Sequence, residues 1–535
     1  VLRDLRRSFE GEVESSPFLR RCYAGAAGIY AQVPRAVAFP RSAADVEAAL
    51  EFCRREGLPL TARGAGSGMA GNNVGRGLVL DFTRHLHRVL DVTPSGVVRA
   101  EPGATYDGLN RVLADHGRVL PPNPSSGAFC TLGGMVANNA SGMRSVKYGS
   151  TAAWLEGARG VWGTGDPLDA VRRPRAPDAG SVEDRLESLF ATALPQPPPW
   201  VRRVAKNSAG LRVWSAWNGR RVDVLELLAG SEGTLALFTE LGFRTAPLPG
   251  GRGLVLAAFG ALDDLVLAVE RVRPLDPSGV EFLDRTFLDP LRASDPSVSD
   301  VAPPGAEAVL FVEVEGASND AAAARARGAL EAVADLALPG ARLARNEAEA
   351  RGLWAFRRGA SPALVRRHPG RAPLQFVEDC AVPPGALPEL LRGLRAAFDR
   401  AQVPAALFGH AGESHVHANP LFDVADPDLP QRIERVAEEV CGLVDRLGGT
   451  LSGEHGDGLA RAAFARRRFG DAAAFFAEVR RTCDPDGLLN PGKILPAAGW
   501  TTGSDLRHPW ERRLLARGRA SRASGGREPA AAAPA

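Results

Sequence analysis

Three glycine-rich stretches, interleaved with short apolar runs, constrain this chain more than any other feature. The first, TARGAGSGMAGNNVG at 61–75, places Gly64, Gly66, Gly68 and Gly71 directly after an apolar run. Glycines at that density let the backbone turn tightly and aim N–H groups at an anion, for which a pyrophosphate is the natural guest. No Gly-Lys-Ser/Thr follows, so this is not a Walker loop. The run GLVLDF comes next where a Rossmann site would open a helix. The second stretch, PPNPSSGAFCTLGGMVANNASGMRSVKYGS at 121–150, holds Gly133-Gly134, Asn138-Asn139, Ser141-Gly142 and Tyr148-Gly149, small residues and amides that admit a flat ligand. The third, LAGSEGTLALFTE at 228–240, is a glycine turn entering a strand. Each alone is ordinary turn chemistry; three in one region point to a shared ligand.

Around these stretches the pattern alternates strand and helix. AVAFP (36–40) reads as a strand, and SAADVEAALEFCRREG as a helix with Ser42 as N-cap and Gly57 as stop. LPLTARG and GLVLDF are further strands, so an α/β or α+β domain is expected over 34–249. Residues 1–33 read as a helical arm and 166–200 as a loop insertion with a short helix. Over 250–495 strands (GLVLAAFG, AVLFVEVEG, AALFGH) alternate with helices at 320–337, 387–401, 429–447 and 460–482. Residues 496–535 read as a low-complexity, disordered tail, and no internal repeat is found.

Composition excludes several classes. A length of 535 residues suggests about three or four domain-sized units. A formal charge of +3 spread along the chain rules out nucleic-acid binding through a basic surface. The apolar stretches stop far short of the roughly 20 residues that span a bilayer, and the charged N-terminal segment lacks the apolar core of a secretory signal. A cytoplasmic protein, not integral to a membrane, is expected, with docking at its inner face left open. The six cysteines are too far apart for an iron–sulfur cluster of familiar spacing, so plain thiols are expected. Of 65 Lys+Arg only Lys147, Lys206 and Lys493 are lysine, and only Met69, Met135 and Met143 are methionine. These survivors of an apparent codon bias fall in or beside the glycine-rich stretches and the terminal DPDGLLNPGKIL, a weak pointer to positions that resist replacement.

A polar constellation lies in the C-terminal half. In AALFGHAGESHVHANP (405–420), His415, His417 and Asn419 share one face of a strand, and a hairpin would bring His410 to them. LSGEHGDG (451–458) then offers Glu454 and His455 between glycines. Two imidazoles and a carboxylate suit a divalent metal, and the same residues suit a hydrogen-bonded hairpin.

Taken in order, PRSAADVEAALEFCRREGLPLTARGAGSGMAG, GLVLDFTR, EPGATYDGLN, PPNPSS…TLGGMVANNASGMRSVKYGS and GSEGTLALFTE resemble the FAD domain of the vanillyl-alcohol-oxidase/p-cresol-methylhydroxylase (PCMH) flavoprotein superfamily. With the C-terminal motifs, the chain is most similar to the D-2-hydroxy-acid dehydrogenase branch: D-lactate dehydrogenase, the glycolate oxidase FAD subunit and D-2-hydroxyglutarate dehydrogenase. The resemblance implies an α+β fold: a two-subdomain PCMH-type FAD-binding domain, then an α+β substrate (cap) domain whose last segment returns to the FAD domain. It implies FAD held by Arg63, Gly64, Gly66, Ser67, Gly68, Gly71, Pro122, Thr131, Gly133, Gly134, Asn138, Ala140, Ser141, Gly142, Tyr148, Gly149, Glu232, Gly233 and Asn490. Residues 63–75 contain neither His nor Cys, and Cys130 and His116 are not in obvious linking positions, so non-covalent FAD is expected.

The branch pattern also implies a divalent metal (Zn, or Mn/Fe) on His410, His417 and Glu454, His455 as proton acceptor, Asn419 as a substrate amide and Arg357 as the carboxylate clamp. Ser361 shares the helical face of Arg357. Here Glu413, Ser414 and His415 stand where the branch has Asp, Gly and Asn, which reshapes the turn. Val377 stands where some 2-hydroxyglutarate enzymes carry a substrate lysine, an argument against that substrate. The implied activity is oxidation of a D-2-hydroxy acid, with electrons passing to an external acceptor: an iron–sulfur subunit, electron-transfer flavoprotein, cytochrome or quinone. The alternatives are an FAD-binding subunit of a redox complex without its own activity, and a transferase like alkyl-dihydroxyacetone-phosphate synthase. A homodimer is left open.

Overall fold

The computed structural model describes residues 2–172, 177–293, 296–344 and 346–507. They build three large sheets and a two-stranded pairing of Arg118–Val119 with Ala246–Pro247. The first has the strand order Glu12–Glu14, Ala36–Phe39, Leu78–Asp81, Leu60–Arg63. Its last three strands are parallel, and Ala36–Phe39 and Leu78–Asp81 are buried throughout, as parallel strands covered on both faces must be. The crossover helix Ala43–Glu56 starts where Ser42 Oγ accepts the Asp45 N–H and stops at Gly57, whose φ of 59° suits glycine. The N-terminal arm differs from a plain helix: it contributes Glu12–Glu14 to the sheet edge.

The second sheet is antiparallel, in the order Val89–Val92, Val97–Ala100, Ala236–Arg244, Leu155–Trp162, Pro167–Val171. The 166–200 region is therefore more than a looped insertion. Pro167–Val171 is an edge strand, and the helix Val182–Ala193 buries Leu186 and Phe190. Positions 173–176 lie outside the described residues.

The third sheet is the largest, with eight strands. Its path runs Arg342–Leu343, Gly251–Phe259, Ala308–Gly316, Gly279–Asp284, Ala405–His410, His415–Asp423, Arg371–Pro373, and Asp379–Ala381 also pairs with His415–Asp423. Helices Leu262–Val272 and Asn319–Val333 bury apolar side chains against one face, and Arg285–Arg292 and Glu347–Arg367 against the other. The expected helix at 460–482 is broken: Gly470, at φ 53°, separates Ala465–Phe469 from Asp471–Cys483.

The chain then returns to the first sheet. Leu60 N–H donates to Leu488 O at 2.8 Å, and Asn490 N–H donates to Leu60 O at 2.8 Å. Residues 496–507 correct the expectation of a disordered tail from 496. Trp500 Nε1 donates to Leu459 O at 2.8 Å, Tyr30 Oη to Thr502 O at 2.9 Å, and Arg76 pairs with Asp505 at 2.6 Å. The remainder of that call, 508–535, lies outside the described residues. Among the described residues no helix is long and apolar enough to cross a membrane, and all six cysteines are free thiols.

Candidate active site

A cleft enclosing roughly 1320 Å³, counting space open to solvent, runs from residues 62–69 to His455. Of the residues expected to hold a cofactor, Arg63, Gly64, Gly66, Ser67, Gly68, Thr131, Gly133, Gly134, Asn138, Ala140, Ser141, Glu232 and Gly233 line it. Among the described residues, no protein acceptor is paired with the backbone N–H groups of 64–69. Of these residues Gly66 is buried and the others border the cleft, so their N–H groups are open to a ligand. Asn72 Oδ1 and Asn73 Oδ1, in the same wall, are also buried without hydrogen bonds. Gly64 is required by packing: a Cβ there would lie 2.0 Å from Thr131 Oγ1. The N–H groups of 64–69 suit an anionic portion and the Asn72 and Asn73 oxygens suit ligand donors, a combination that fits a cofactor such as FAD.

Six expected contacts do not line the cleft. Gly71 turns at φ 80° against the Tyr30 ring, and Gly142 passes so close to Asn123 that a Cβ would meet its carbonyl at 2.1 Å. Gly149 is a positive-φ helix stop. Tyr148 Oη bonds Glu315 on the third sheet, because a phenol beside a buried carboxylate is drawn away from the cleft. Asn490 lies beneath the cleft, its amide tying Asn72 O and Glu232 O at 2.7 Å each. In the Pro122 segment the lining residues are Pro124, Ser125 and Ser126. Cys130, discounted from sequence, does line the cleft, but burial pushes its thiol up to about 11, which makes it a poor nucleophile.

Beyond His455 the polar residues converge. The hairpin Ala405–His410/His415–Asp423 pairs His410 with His415 and puts His415, His417 and Asn419 on one face. Three imidazole Nε2 atoms surround Glu454 Oε1: His417 at 3.2 Å, His455 at 3.4 Å and His410 at 3.5 Å. Each Nδ1 meets a buried carboxylate: His410 that of Glu281, and His455 and His417 that of Glu378, at 2.9 and 3.4 Å. Glu454 Oε2 takes the Lys206 ammonium at 2.8 Å and the Ser141 hydroxyl at 3.0 Å. Arg357, on the helix Glu347–Arg367, pairs with Glu281 and lies over the Phe408 ring. Asn419 Oδ1 accepts from Gln375 Nε2 at 2.5 Å. The side chain of Ser361 lies outside the described residues.

Sequence reading missed Glu281, Glu378, Asp379 and Arg461, and singled out Lys206 only by its rarity; all are no more than 5% exposed. Asp379 accepts the N–H groups of Glu454 and His455 at 3.1 and 2.8 Å and faces His415 Nε2 at 2.7 Å. Burial opposes ionisation of Glu281 and Asp379, but Arg357 and His410 hold the first down at about 2, and His455 holds the second at about 2. His415, with burial dominant, is pushed down to about 3 and stays neutral. Burial also opposes the charge on His455, yet Glu378 and Asp379 raise it well above its usual value.

The donor set fits a divalent cation. His410 Nε2 is buried with no hydrogen-bond partner, and His410, His415, His417 and Glu454 present ligand atoms within 4.8 Å of one another. The carboxylates of Glu281, Glu378, Asp379, Glu413 and Glu454 outnumber the fixed cations Lys206, Arg357 and Arg461 by two charges. His415 belongs to the cluster geometrically but is committed through Nε2 to Asp379.

A cleft lined by glycine-rich loops and ending at a buried histidine–carboxylate cluster suits a flavin-dependent class of protein, and comparison with known proteins agrees. Residues 34–170 match the "FAD binding domain" family and 248–494 the "FAD linked oxidases, C-terminal domain" family. The chain is 30% identical over 477 residues to glycolate oxidase subunit GlcD of Escherichia coli K12, covering 87% of this chain and 85% of that protein. It is 31% identical over 526 residues to D-2-hydroxyglutarate dehydrogenase of the same organism, covering 92% of this chain but only 51% of that protein. The fold is shared with p-cresol methylhydroxylase (TM-score 0.68, 14% identity, 92% and 96% coverage) and alkyldihydroxyacetonephosphate synthase (TM-score 0.65, 17% identity, 92% and 85%). The chain belongs to the FAD-linked oxidase family.

Proposed function

We propose that this protein oxidises a D-2-hydroxy acid to the 2-oxo acid and passes the electrons to an external protein or quinone acceptor. The observation that carries the reading is the convergence of the His410, His417 and His455 Nε2 atoms on Glu454 Oε1 at the end of the cleft, with Arg357 linked to His410 through Glu281. The substrate loses a hydroxyl proton and a Cα hydride. Bound FAD, held non-covalently, supplies the hydride acceptor. A divalent cation held by His410, His417 and Glu454 supplies polarisation of the substrate hydroxyl and the positive charge that keeps the neighbouring imidazoles neutral.

The other roles fall to the chain itself. Arg357 binds the substrate carboxylate through its planar guanidinium, with Glu281 behind it fixing the orientation. Asn419, steadied by Gln375, offers its amide to the substrate. His455 takes the hydroxyl proton on Nε2. Relatives named for glycolate and for D-2-hydroxyglutarate both support a 2-hydroxy acid. Val377 argues against the five-carbon diacid, so the substrate has to be decided by titration.

The test is anaerobic titration of the holoenzyme with the D and L forms of lactate and 2-hydroxyglutarate, and with glycolate, following flavin absorbance. Bleaching by a D acid or by glycolate is expected. His455→Ala should keep its FAD but reduce it roughly 10²–10⁴-fold more slowly. Failure of every acid to bleach the flavin, or normal reduction in the variant, would overturn the reading.

A further inference from the structure

Glu378 lies in the apolar run Phe376-Val377-Glu378-Asp379-Cys380-Ala381-Val382 and is 2% exposed. Its side chain meets two of the converging histidines at once. Oε1 faces His455 Nδ1 at 2.9 Å, and Oε2 faces His417 Nδ1 at 3.4 Å. The two rings are stacked, with centroids 5.2 Å apart and planes 22° from parallel. A carboxylate has only acceptors, so each Nδ1 facing Glu378 carries a proton; Glu454 Oε1 makes the same demand on each Nε2, at 3.2 and 3.4 Å, unless a cation takes that oxygen, and then Nδ1 holds the one remaining proton. The neighbouring Asp379 Oδ1 stands 3.8 Å from His455 Nδ1, beyond hydrogen-bond reach, and spends its oxygens on backbone N–H groups and His415.

Arg461 completes the arrangement. It is 2% exposed, and one terminal nitrogen donates to Glu378 Oε1 at 2.6 Å. The other donates at 2.6 Å to the carbonyl of Gly456, the residue after His455. One guanidinium thus ties the carboxylate on the Asp379–Ala381 side of the third sheet to the loop that bears His455. Both are buried behind the rings, Glu378 on the two histidines and Arg461 on Glu378 and the Gly456 carbonyl.

We infer that Glu378, held by Arg461, is a positioning residue that fixes the proton of His455 and of His417 on Nδ1, so that Nε2 of the first faces substrate and Nε2 of the second faces the cation. The inference rests on the proposed function for the role of His455, and for the tautomers on the Glu378 contacts together with a cation at Glu454. Its logic is that of any imidazole oriented by a buried carboxylate, except that here one carboxylate orients two rings.

Two measurements test it. In Glu378→Gln the amide cannot accept from both rings and Arg461 together. Stopped-flow flavin reduction by the most active acid of the panel should slow 10- to 100-fold, with KM changed less than about threefold and FAD retained. Unchanged kcat, or a loss carried wholly by KM, would overturn the inference. Independently of substrate, the nine histidines permit ¹⁵N-imidazole NMR on holoenzyme carrying one equivalent of Zn²⁺. The His455 signals, assigned by their loss in His455→Gln, should report the Nδ1–H tautomer. An Nε2–H tautomer or a doubly protonated ring would overturn the positioning role. If no acid bleaches the wild-type flavin, the functional reading falls while the NMR result still decides the tautomers. If Glu378→Gln fails to fold, the wild-type spectrum carries the decision.

Discussion

Glu281 and Glu378 sit inside the runs GVEFLD and FVEDCAV, where every neighbour is a core residue or another acid. A charge in such a place is tolerated only when paired and hydrogen-bonded. That was the legible signal, but its partners (His410, Arg357, Arg461) lie between 76 and 129 residues away in sequence, so nothing local revealed the pairing. Two of the three scarce lysines are deeply buried: Lys206 on Glu454, and Lys493 donating to Val74 O at 2.7 Å. A compact ammonium fits where a planar guanidinium would not, which gives a physical reason for their survival among arginines. Glu232 carries a testable pH dependence. Burial beside Asp457 pushes its carboxyl from 4.5 up to about 8. The folded state then keeps a proton that the unfolded chain releases above about 4.5, so this contribution to stability is complete below that pH and fades as pH rises through 8. Glu232→Gln has no such slope and keeps an acceptor for the Asp457 and Gly458 N–H groups. Its Tm relative to wild type should rise between pH 5 and pH 8 by roughly 2 °C or more, read by calorimetry.

The loop from Ser452 to Gly458 shows how one element is held from two directions. Asp379 takes the N–H groups of Glu454 and His455, and Glu232 takes those of Asp457 and Gly458. A glycine-rich loop has little conformational preference of its own; here two buried carboxylates supply it. Asp379→Ala would leave two buried N–H groups and His415 unpaired, and should cost about 3–5 kcal/mol in denaturant unfolding. Asp379→Asn, which keeps an acceptor oxygen, should cost clearly less; equal costs would show that the N–H groups find other partners. Elements with strong local signals were readable: the helix between Ser42 and Gly57, the long strands of the third sheet and the His415–Asn419 face all follow period and capping. The packed segment 496–507 was not, because its partners Tyr30 and Leu459 are distant in sequence; the hairpin strand Pro167–Val171 and the break at Gly470 are local features that the pattern reading passed over.

Across the whole molecule, the cleft is assembled from segments near residues 63, 131, 232 and 455, supplied by the first two sheets and by the loop beyond the third. A ligand that contacts all of them binds only the folded chain. Stripping FAD should therefore lower Tm, and restoring it at 100-fold its dissociation constant should return about 2.7 kcal/mol; a Tm indifferent to FAD would place the cofactor elsewhere. Sequence by itself determined the fold class and the glycine loops, and through motif order singled out His410, His417, Glu454, His455 and Arg357 as candidates, because glycine density, period-two alternation and motif order are local properties of the chain. Tertiary structure alone decided which carboxylates orient those histidines, which expected contacts lie beneath the cleft rather than in it, and where the last residues pack. The physical reason is that the pairing of buried charges is a long-range matter: the cost of burying each is local, but the partner that offsets it arrives only when distant segments meet.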